Sequence, residues 1–249
     1  MRFFGYICAL LLTRKPFAME EINLESPESR FAIGAGAYRA DDERHYLLLG
    51  LSWENGKSLI PKKKLKEDNN AVWGPRDEIS LKARLLGGND QVTLYSGDRN
   101  WVNTNWDDDM LFLEGGSGIA RGGIGHDVIE VSGGNWAVVN GNQGNDEIVN
   151  KGKLTGTLRG GVGNDVLINF SGASASFYGD DGADIFKPNV SPEDVDGTLM
   201  TIKDFEIGVD SLDLSAVDEC FFEYIDGSTF VGTELSDAQY IAVLEGVVL

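Results

Sequence analysis

Short apolar runs alternate with glycine-rich polar stretches through the middle of the chain. The runs at 128–131, 148–149, 166–168 and 185–186 consist mainly of β-branched and aliphatic residues, a composition that is typical of β-strands. Each run follows a polar stretch of six residues in which glycine can adopt backbone conformations that other residues avoid. The pattern therefore predicts a series of short strands, each preceded by a tight six-residue turn.

Turn and strand together form a nine-residue phrase that recurs at 122–130, 141–149, 160–168 and 179–187, each copy starting 19 residues after the previous one. Every copy has glycine at its first and fourth positions, aspartate at its sixth and a large apolar residue at its eighth. A constant period of this kind is the signature of a solenoid, in which each repeat forms one rung. The sequence thus predicts an all-β protein built around a parallel β-roll or β-helix.

Two further columns with the same period predict the second strand of each rung. Small residues recur at Gly118, Ala137, Gly156 and Ala175, and mostly apolar residues recur at Ala120, Val139, Leu158 and Phe177. Because alternate residues of a strand point to the same face, both columns are expected to line one interior. The residues between the two columns, at 119, 138, 157 and 176, are expected to face outward, as are the residues after the second column, Arg121, Asn140, Arg159 and Tyr178.

Stacked turns of this composition place carboxylates and free carbonyl oxygens around shared points, and hard oxygen ligands suit Ca²⁺ better than transition metals. The alternate half-turns at 132–136, 150–154 and 169–173 lack the aspartate, so about three to five Ca²⁺ ions are expected along one edge only. The predicted ligand residues are Asp127, Asp146, Asp165, Asp184, Gly122, Gly125, Gly141, Gly144, Gly160, Gly163, Gly179 and Gly182. The alternative is a glycine-rich loop region without metal.

Two degenerate copies extend the pattern upstream. Asp109 lies 18 residues before Asp127, and Asp90 lies 19 residues before Asp109. The stretch 104–109 carries carboxylates in place of the turn glycines, which makes Asp109 a further candidate ligand but leaves the backbone geometry open. The solenoid is therefore expected to have about six rungs of 18–19 residues over 85–187.

The repeated phrase resembles the calcium-binding repeat of the repeats-in-toxin, or haemolysin-type, β-roll family. Residues 122–130 and 160–168 match its consensus G-G-x-G-x-D-x-U-x completely, where U is a large apolar residue. The segment 202–215 is similar to the one that follows the roll in secreted metalloproteases of the serralysin type, where it caps the last rung. The resemblance implies a secreted protein that folds on Ca²⁺ and leaves the cell through an ABC-type, type I secretion apparatus. Residues 245–249 resemble the C-terminal export signal of such proteins.

Charge is distributed unevenly along the chain. The formal net charge is −19; residues 1–84 carry 14 Lys/Arg and 12 Asp/Glu, whereas residues 85–249 carry 7 and 28. A net charge of −21 in the second part argues against nucleic acid or an anionic membrane as a partner.

Four regions follow from these patterns. Residues 1–18 are a signal segment, a buried element or an extension upstream of a true start at Met19. Residues 19–84 form a small β region, with a hairpin from 31–38 and 46–53, followed by a basic linker. The β-roll occupies 85–187, and a cap with a tail that resembles a secretion signal occupies 188–249. A short helix is expected from Ser236 because Gln239 stands at the capping-box position.

Catalytic motifs are scarce in this sequence. It has only two histidines, no H-E-x-x-H and no G-x-S-x-G, so we expect no enzymatic activity. Two cysteines argue against a disulfide framework and agree with an extracellular protein held by Ca²⁺. The favoured function is a secreted calcium-binding protein with a structural, surface or accessory role, with extracellular polysaccharide or a cell surface as partner. The alternatives are a polysaccharide lyase or epimerase on the β-helix, the C-terminal module of a secreted hydrolase, and an adhesin.

Overall fold

Strands are the only regular elements in the part of the chain that the structure describes. The structure is a computed structural model. It describes residues 82–85, 87–152, 156–170, 174–189, 199–217, 219–233 and 239–249, together with short strands between residues 31 and 73. Within this part, no helix is long and apolar enough to cross a membrane.

The strands fall into three groups along the chain. The N-terminal strands are β1 (Phe31–Ala32), β2 (Gly36–Arg39), β3 (His45–Leu48), β4 (Ser52–Glu54), β5 (Lys57–Ser58) and β6 (Asn70–Trp73). The central strands are β7 (Lys82–Arg84), β8 (Gln91–Leu94), β9 (Asn100–Trp106), β10 (Met110–Leu113), β11 (Ser117–Ile124), β12 (Val128–Val131), β13 (Asn135–Gln143), β14 (Glu147–Asn150), β15 (Thr157–Val162), β16 (Val166–Asn169), β17 (Ser174–Asp181) and β18 (Ile185–Pro188). The C-terminal strands are β19 (Leu199–Ile202), β20 (Ser211–Leu212), β21 (Cys220–Ile225), β22 (Ser228–Thr233) and β23 (Gln239–Leu244).

From β7 to β20 the chain alternates between two parallel sheets. Even-numbered strands follow one another in the first sheet from β6 to β20, and odd-numbered strands do so in the second from β7 to β19. Each rung therefore contributes one strand to each sheet and pairs with the rungs before and after it. The predicted parallel β-solenoid is confirmed, and its parallel pairs continue beyond residues 85–187, to β6 upstream and to β19 and β20 downstream.

The interior between the two sheets is apolar. The predicted column Ala120, Val139, Leu158 and Phe177 is paired in register across β11, β13, β15 and β17, and all four side chains are fully buried. Facing it from the other sheet are Leu111, Ile129, Ile148, Leu167 and Phe186, which are also fully buried. Because each strand has only one apolar face, burial of both faces against each other stabilises the stack.

The predicted column of small residues is wrong at one position. The register between β11 and β13 shifts by one residue, so that Gly118 pairs with Trp136 and Ile119 pairs with Val138. Ala137 is left in a bulge and is exposed, whereas Trp136 is fully buried in the core. The extra residue of a bulge turns a neighbouring side chain to the other face of the sheet, and here it brings the indole inside.

Both ends of the solenoid carry antiparallel strands. The predicted N-terminal hairpin is present, since β2 pairs with β3 and β1 pairs with β4, both antiparallel, and β3 continues the first sheet through β6. At the other end β21, β22 and β23 form an antiparallel meander that joins the second sheet at β19. The predicted C-terminal helix is wrong at Gln239, which begins strand β23; Ser236 lies outside the described residues.

Candidate metal centre

The turns that carry the repeated aspartates all lie along one edge of the solenoid. Each connects a strand of the second sheet to the next strand of the first sheet, at 125–127, 144–146, 163–165 and 182–184. The predicted six-residue turn is therefore wrong in length, because the first three residues of each phrase extend the preceding strand and pair with the neighbouring rungs. Only the last three residues of the glycine-rich stretch reverse the chain.

Glycine at the first position of each phrase makes room for the aspartate. A Cβ atom at Gly122 would overlap Oδ2 of Asp127, and the same overlap would occur for three further pairs: Gly141 with Asp146, Gly160 with Asp165, and Gly179 with Asp184. Glycine at the fourth position makes room for the neighbouring turn, since a Cβ atom at Gly144 would overlap the carbonyl oxygen of Gly125. The carbonyl groups of these turns therefore point along the solenoid axis, from one rung to the next.

The second position of each phrase requires a left-handed backbone. The φ angles there are 144° at Gly123, 84° at Asn142, 121° at Gly161 and 67° at Asp180. Glycine, asparagine and aspartate are the residues that tolerate this conformation best. Asn142 and Asp180 replace the consensus glycine in the second and fourth copies, and both keep the left-handed backbone that this position requires.

The repeated aspartates form a continuous hydrogen-bonded ladder. The backbone N–H of each aspartate donates to Oδ1 of the aspartate in the next rung, at N···O distances of 2.8 Å from Asp127 to Asp146, 2.7 Å from Asp146 to Asp165 and 2.8 Å from Asp165 to Asp184. The ladder also includes the degenerate upstream rungs, since Asp90 donates to Asp109 and Asp109 donates to Asp127. The structure thus brings together all five predicted aspartates, and Asp90 with them.

The other carboxylate oxygen of each repeat aspartate is buried and bare. Oδ2 has no hydrogen-bond partner among the described residues in Asp127, Asp146, Asp165 and Asp184, and these residues are at most 2% exposed. Desolvation raises the pKa of Asp127 to about 8, of Asp146 to about 6 and of Asp165 and Asp184 to about 7. A buried carboxylate in this state requires either a proton or a cation.

A second ladder, which the sequence pattern did not indicate, runs beside the first at the fifth position. His126 Nδ1 accepts from the N–H of Asn145, Asn145 Oδ1 from Asn164, and Asn164 Oδ1 from Ala183, at 2.8–2.9 Å. These side chains reach forward along the chain, whereas the aspartates reach back. His126 is exposed and holds two turns together.

The cap motif continues the aspartate ladder. Oδ1 of Asp210 accepts the N–H of Asp184 at 3.0 Å, and the N–H of Ser211 donates to the carbonyl of Asp184, as in the preceding rungs. Asp204 accepts the N–H groups of Gly179 and Asp180, and burial raises its pKa. Sequence reasoning missed these two aspartates because Asp210 lies 26 residues after Asp184 and so breaks the 19-residue period.

The donor set fits a hard cation. No group of three or more His, Cys, Asp or Glu side chains converges as a metal site in the described part of the chain. Each gap between rungs instead offers two aspartates together with axially directed carbonyl groups, a set that suits Ca²⁺. The opposite edge differs: Asn150 and Asn169 are buried there and joined by an amide–amide hydrogen bond of 2.8 Å. At this place the opposite edge therefore has a neutral amide pair where the aspartate edge has buried carboxylates.

Comparison with known families agrees with this arrangement. Residues 117–243, just over half of the chain, match the family model described as Peptidase M10 serralysin C terminal. The chain belongs to the serralysin C-terminal family. The match includes the four repeated phrases and the cap segment 202–215, so the predicted serralysin-like cap is confirmed at the level of the family. Neither the curated proteins nor the solved structures gave a match.

The raised pKa values predict how a metal-free member of the serralysin C-terminal family responds to pH. The folded aspartates hold protons up to about pH 6–8, whereas unfolded aspartates release them near their ordinary pKa of 3.8. Folded chains therefore bind more protons, and this contribution to stability is present below about pH 4 and is lost as pH rises through about 8. Metal-free protein should therefore be folded and give a cooperative thermal melt at about pH 5, and it should have a lower Tm or no folded state at about pH 8. A metal-free Tm that increases over this range would contradict the assignment.

Proposed function

We propose that this protein is a secreted calcium-binding β-roll that folds around Ca²⁺ outside the cell and serves a structural, surface or accessory role. The observation that carries the proposal is the column of buried aspartates, each with one bare carboxylate oxygen. Asp109, Asp127, Asp146, Asp165 and Asp184 would hold the ions together with carbonyl groups of the turn glycines. Bound Ca²⁺ would supply positive charge between the rungs, which replaces the protons that the buried carboxylates otherwise require.

Export in an unfolded state is consistent with where the C-terminal tail lies. The hydroxyl of Tyr224 donates to the carbonyl of Leu249 at 2.6 Å, and Thr229 donates to the carbonyl of Val247 at 2.8 Å. In the folded protein the tail is thus attached to the cap strands. A calcium-poor cytosol would leave the carboxylates uncompensated and the tail accessible to an ABC-type exporter, and folding would follow outside the cell.

The number and position of bound ions test the proposal. Native mass spectrometry of calcium-loaded protein should show about three to five Ca²⁺ ions, and anomalous scattering from crystals should place all of them along the aspartate edge. Asp165→Asn should remove at least one ion, whereas Asn169→Ala on the opposite edge should leave the count unchanged. Ions along both edges, or none, would refute this assignment of the sites.

A second candidate role is that of an accessory module in a secreted hydrolase. The family description, which names a C-terminal region of M10 peptidases, favours this role. The test is to add this protein to a separate hydrolytic chain in the presence of Ca²⁺. A calcium-dependent increase in the rate of hydrolysis would support the role.

We also propose that the chain has no catalytic activity of its own. Arg159 and Tyr178, outward residues that a lyase or epimerase could use, are engaged with each other and with Asp180. The guanidinium of Arg159 pairs with the carboxylate of Asp180 and lies 4.5 Å from the ring centroid of Tyr178. Incubation with polyuronates should release no unsaturated product, and accumulation of such a product would contradict the proposal.

A further inference from the structure

The outer face of the second sheet contains a polar groove across β7, β9, β11 and β13. It has a volume of about 270 Å³, and its walls include Arg84, Asn103, Asn105, Trp106, Arg121 and Asn142. Register explains its shape: Gly123 lies between Asn105 and Asn142 on adjacent strands and has no side chain. Since neighbouring strands are about 4.8 Å apart, the two asparagines flank a gap of roughly 9.6 Å.

Arg121, in this groove, differs from the other cations of the acidic region. Among the described lysines and arginines of 85–249, the others each have a carboxylate partner: Arg99 with Asp98, Lys151 with Glu130, Arg159 with Asp180, Lys187 with Asp213, and Lys203 with Glu245. Arg121 has no ion pair in the described part of the chain, and its Nε is buried without a hydrogen-bond partner there. A half-buried guanidinium without a counterion requires an anion, and its fork geometry matches a carboxylate.

The rest of the groove indicates what carries that carboxylate. Asn103 and Asn142 supply amide groups that can donate and accept, as the hydroxyl groups of a sugar require. Oδ1 of Asn105 accepts from Nε of Arg84 at 3.1 Å, whereas Nδ2 of Asn105 and Oδ1 of Asn103 are buried without a partner among the described residues. Trp106 is 48% exposed at the rim and offers a flat apolar face for the C–H side of a pyranose ring. The net charge of −21 over 85–249 disfavours phosphomonoester ligands, whose charge of about −1.5 to −2 exceeds that of a single uronate.

We propose that this groove binds a uronic acid unit of an acidic extracellular polysaccharide, with Arg121 pairing to its carboxylate. The inference rests on the calcium-loaded fold proposed above, because the groove is formed by side chains from four successive strands of the second sheet. It specifies the polysaccharide partner as one that contains uronic acid. The binding site lies on the outer face of the second sheet, and not on the edge that carries the repeated aspartates.

The test is a calorimetric titration of the calcium-loaded full chain with a tetramer of galacturonic acid and, separately, with the neutral tetramer of galactose. The charged tetramer should bind and the neutral one should bind at least tenfold more weakly. Arg121→Gln should weaken binding of the charged tetramer about tenfold or more, since it removes a charge-assisted pair. Trp106→Ala should weaken both tetramers. Arg99→Gln, which removes the same charge from an exposed ion pair, is the matched control and should change nothing.

Circular dichroism with Ca²⁺ separates failure of the groove from failure of the fold. Suppose that the wild type and Arg121→Gln both fold with Ca²⁺. The groove proposal is wrong, and the calcium proposal stands, if neither protein binds the charged tetramer more tightly than the neutral one. The same conclusion holds if Arg99→Gln weakens binding of the charged tetramer as much as Arg121→Gln does. If the wild type gains no structure with Ca²⁺, the calcium proposal fails first. Tighter binding of an oligonucleotide than of the uronate tetramer, lost in Arg121→Gln, would overturn the saccharide assignment.

Discussion

Removal of Ca²⁺ is expected to unfold the solenoid at neutral pH. Four carboxylates on the aspartate ladder are buried with one bare oxygen each, in a region whose net charge is −21. At a hundredfold excess over its Kd, each ion would stabilise the fold by about 2.7 kcal/mol. Three such sites would contribute about 8 kcal/mol, which is comparable with the whole stability of about 5–15 kcal/mol of an ordinary domain. Loss of the ions is therefore large enough to decide whether the chain folds.

Far-ultraviolet circular dichroism of chelator-stripped protein should show mainly disordered chain, and millimolar Ca²⁺ should restore the β signal. Mg²⁺ at the same concentration is the matched control and should be ineffective, because it demands octahedral geometry and retains its water ligands. A metal-free protein that has the full β signal near neutral pH, with a Tm unchanged by Ca²⁺, would contradict the prediction.

Much of the solenoid could be predicted because its rungs repeat the same local chemistry. The strands β12, β14, β16 and β18 begin at or next to the residues that the apolar runs indicated. A constant 19-residue period also sets the register, since each aspartate pairs with the aspartate of the next rung. The alignment of the aspartates, the edge on which they lie and the apolar column of the interior therefore follow from the spacing of the repeats.

Features that depend on one rung differing from its neighbours could not be predicted in this way. The bulge at Ala137 brings Trp136 into the core, and nothing in the period marks that extra residue. Asp210 occupies the next ladder position although the connection from Asp184 is longer than in the repeats. Only the three-dimensional register of β18 and β20 identifies Asp210 as the terminal member.

Strand β23 shows how tertiary pairing overrides a local signal. Gln239 fits a capping box, but the segment from Gln239 to Leu244 pairs with β22 on one side and with β19 on the other. These bonds satisfy the exposed edge of the last rung, which an isolated helix could not do. A cap that ends a sheet is therefore expected to extend it by strands.

Interior aspartates of the ladder are expected to matter more than terminal ones. Asp146 borders the gaps on both sides of its rung, through its bonds with Asp127 and Asp165, whereas Asp90 lies at the upstream end of the ladder. Solenoid stability is approximately a sum of rung and nearest-neighbour terms, so an interior ligand couples two neighbours and a terminal ligand couples one. Asp146→Asn should raise the Ca²⁺ midpoint of folding about tenfold or more, and Asp90→Asn by a smaller factor.

Asp181→Asn is the matched control, because it removes the same charge from an exposed residue next to the same row of turns and should leave the midpoint nearly unchanged. The metal-free state supplies a second readout that separates a ligand from a merely structural residue. At about pH 5, where metal-free protein is expected to fold, the Asp146→Asn variant would keep a side-chain oxygen for the N–H of Asp127 and would replace a protonated carboxyl by another neutral group, so its metal-free stability should stay nearly the same. Calcium titrations and metal-free melts of the three variants decide the matter: equal midpoint shifts for Asp146→Asn and Asp181→Asn would mean that bulk charge, and not ligation within the ladder, governs the response to Ca²⁺.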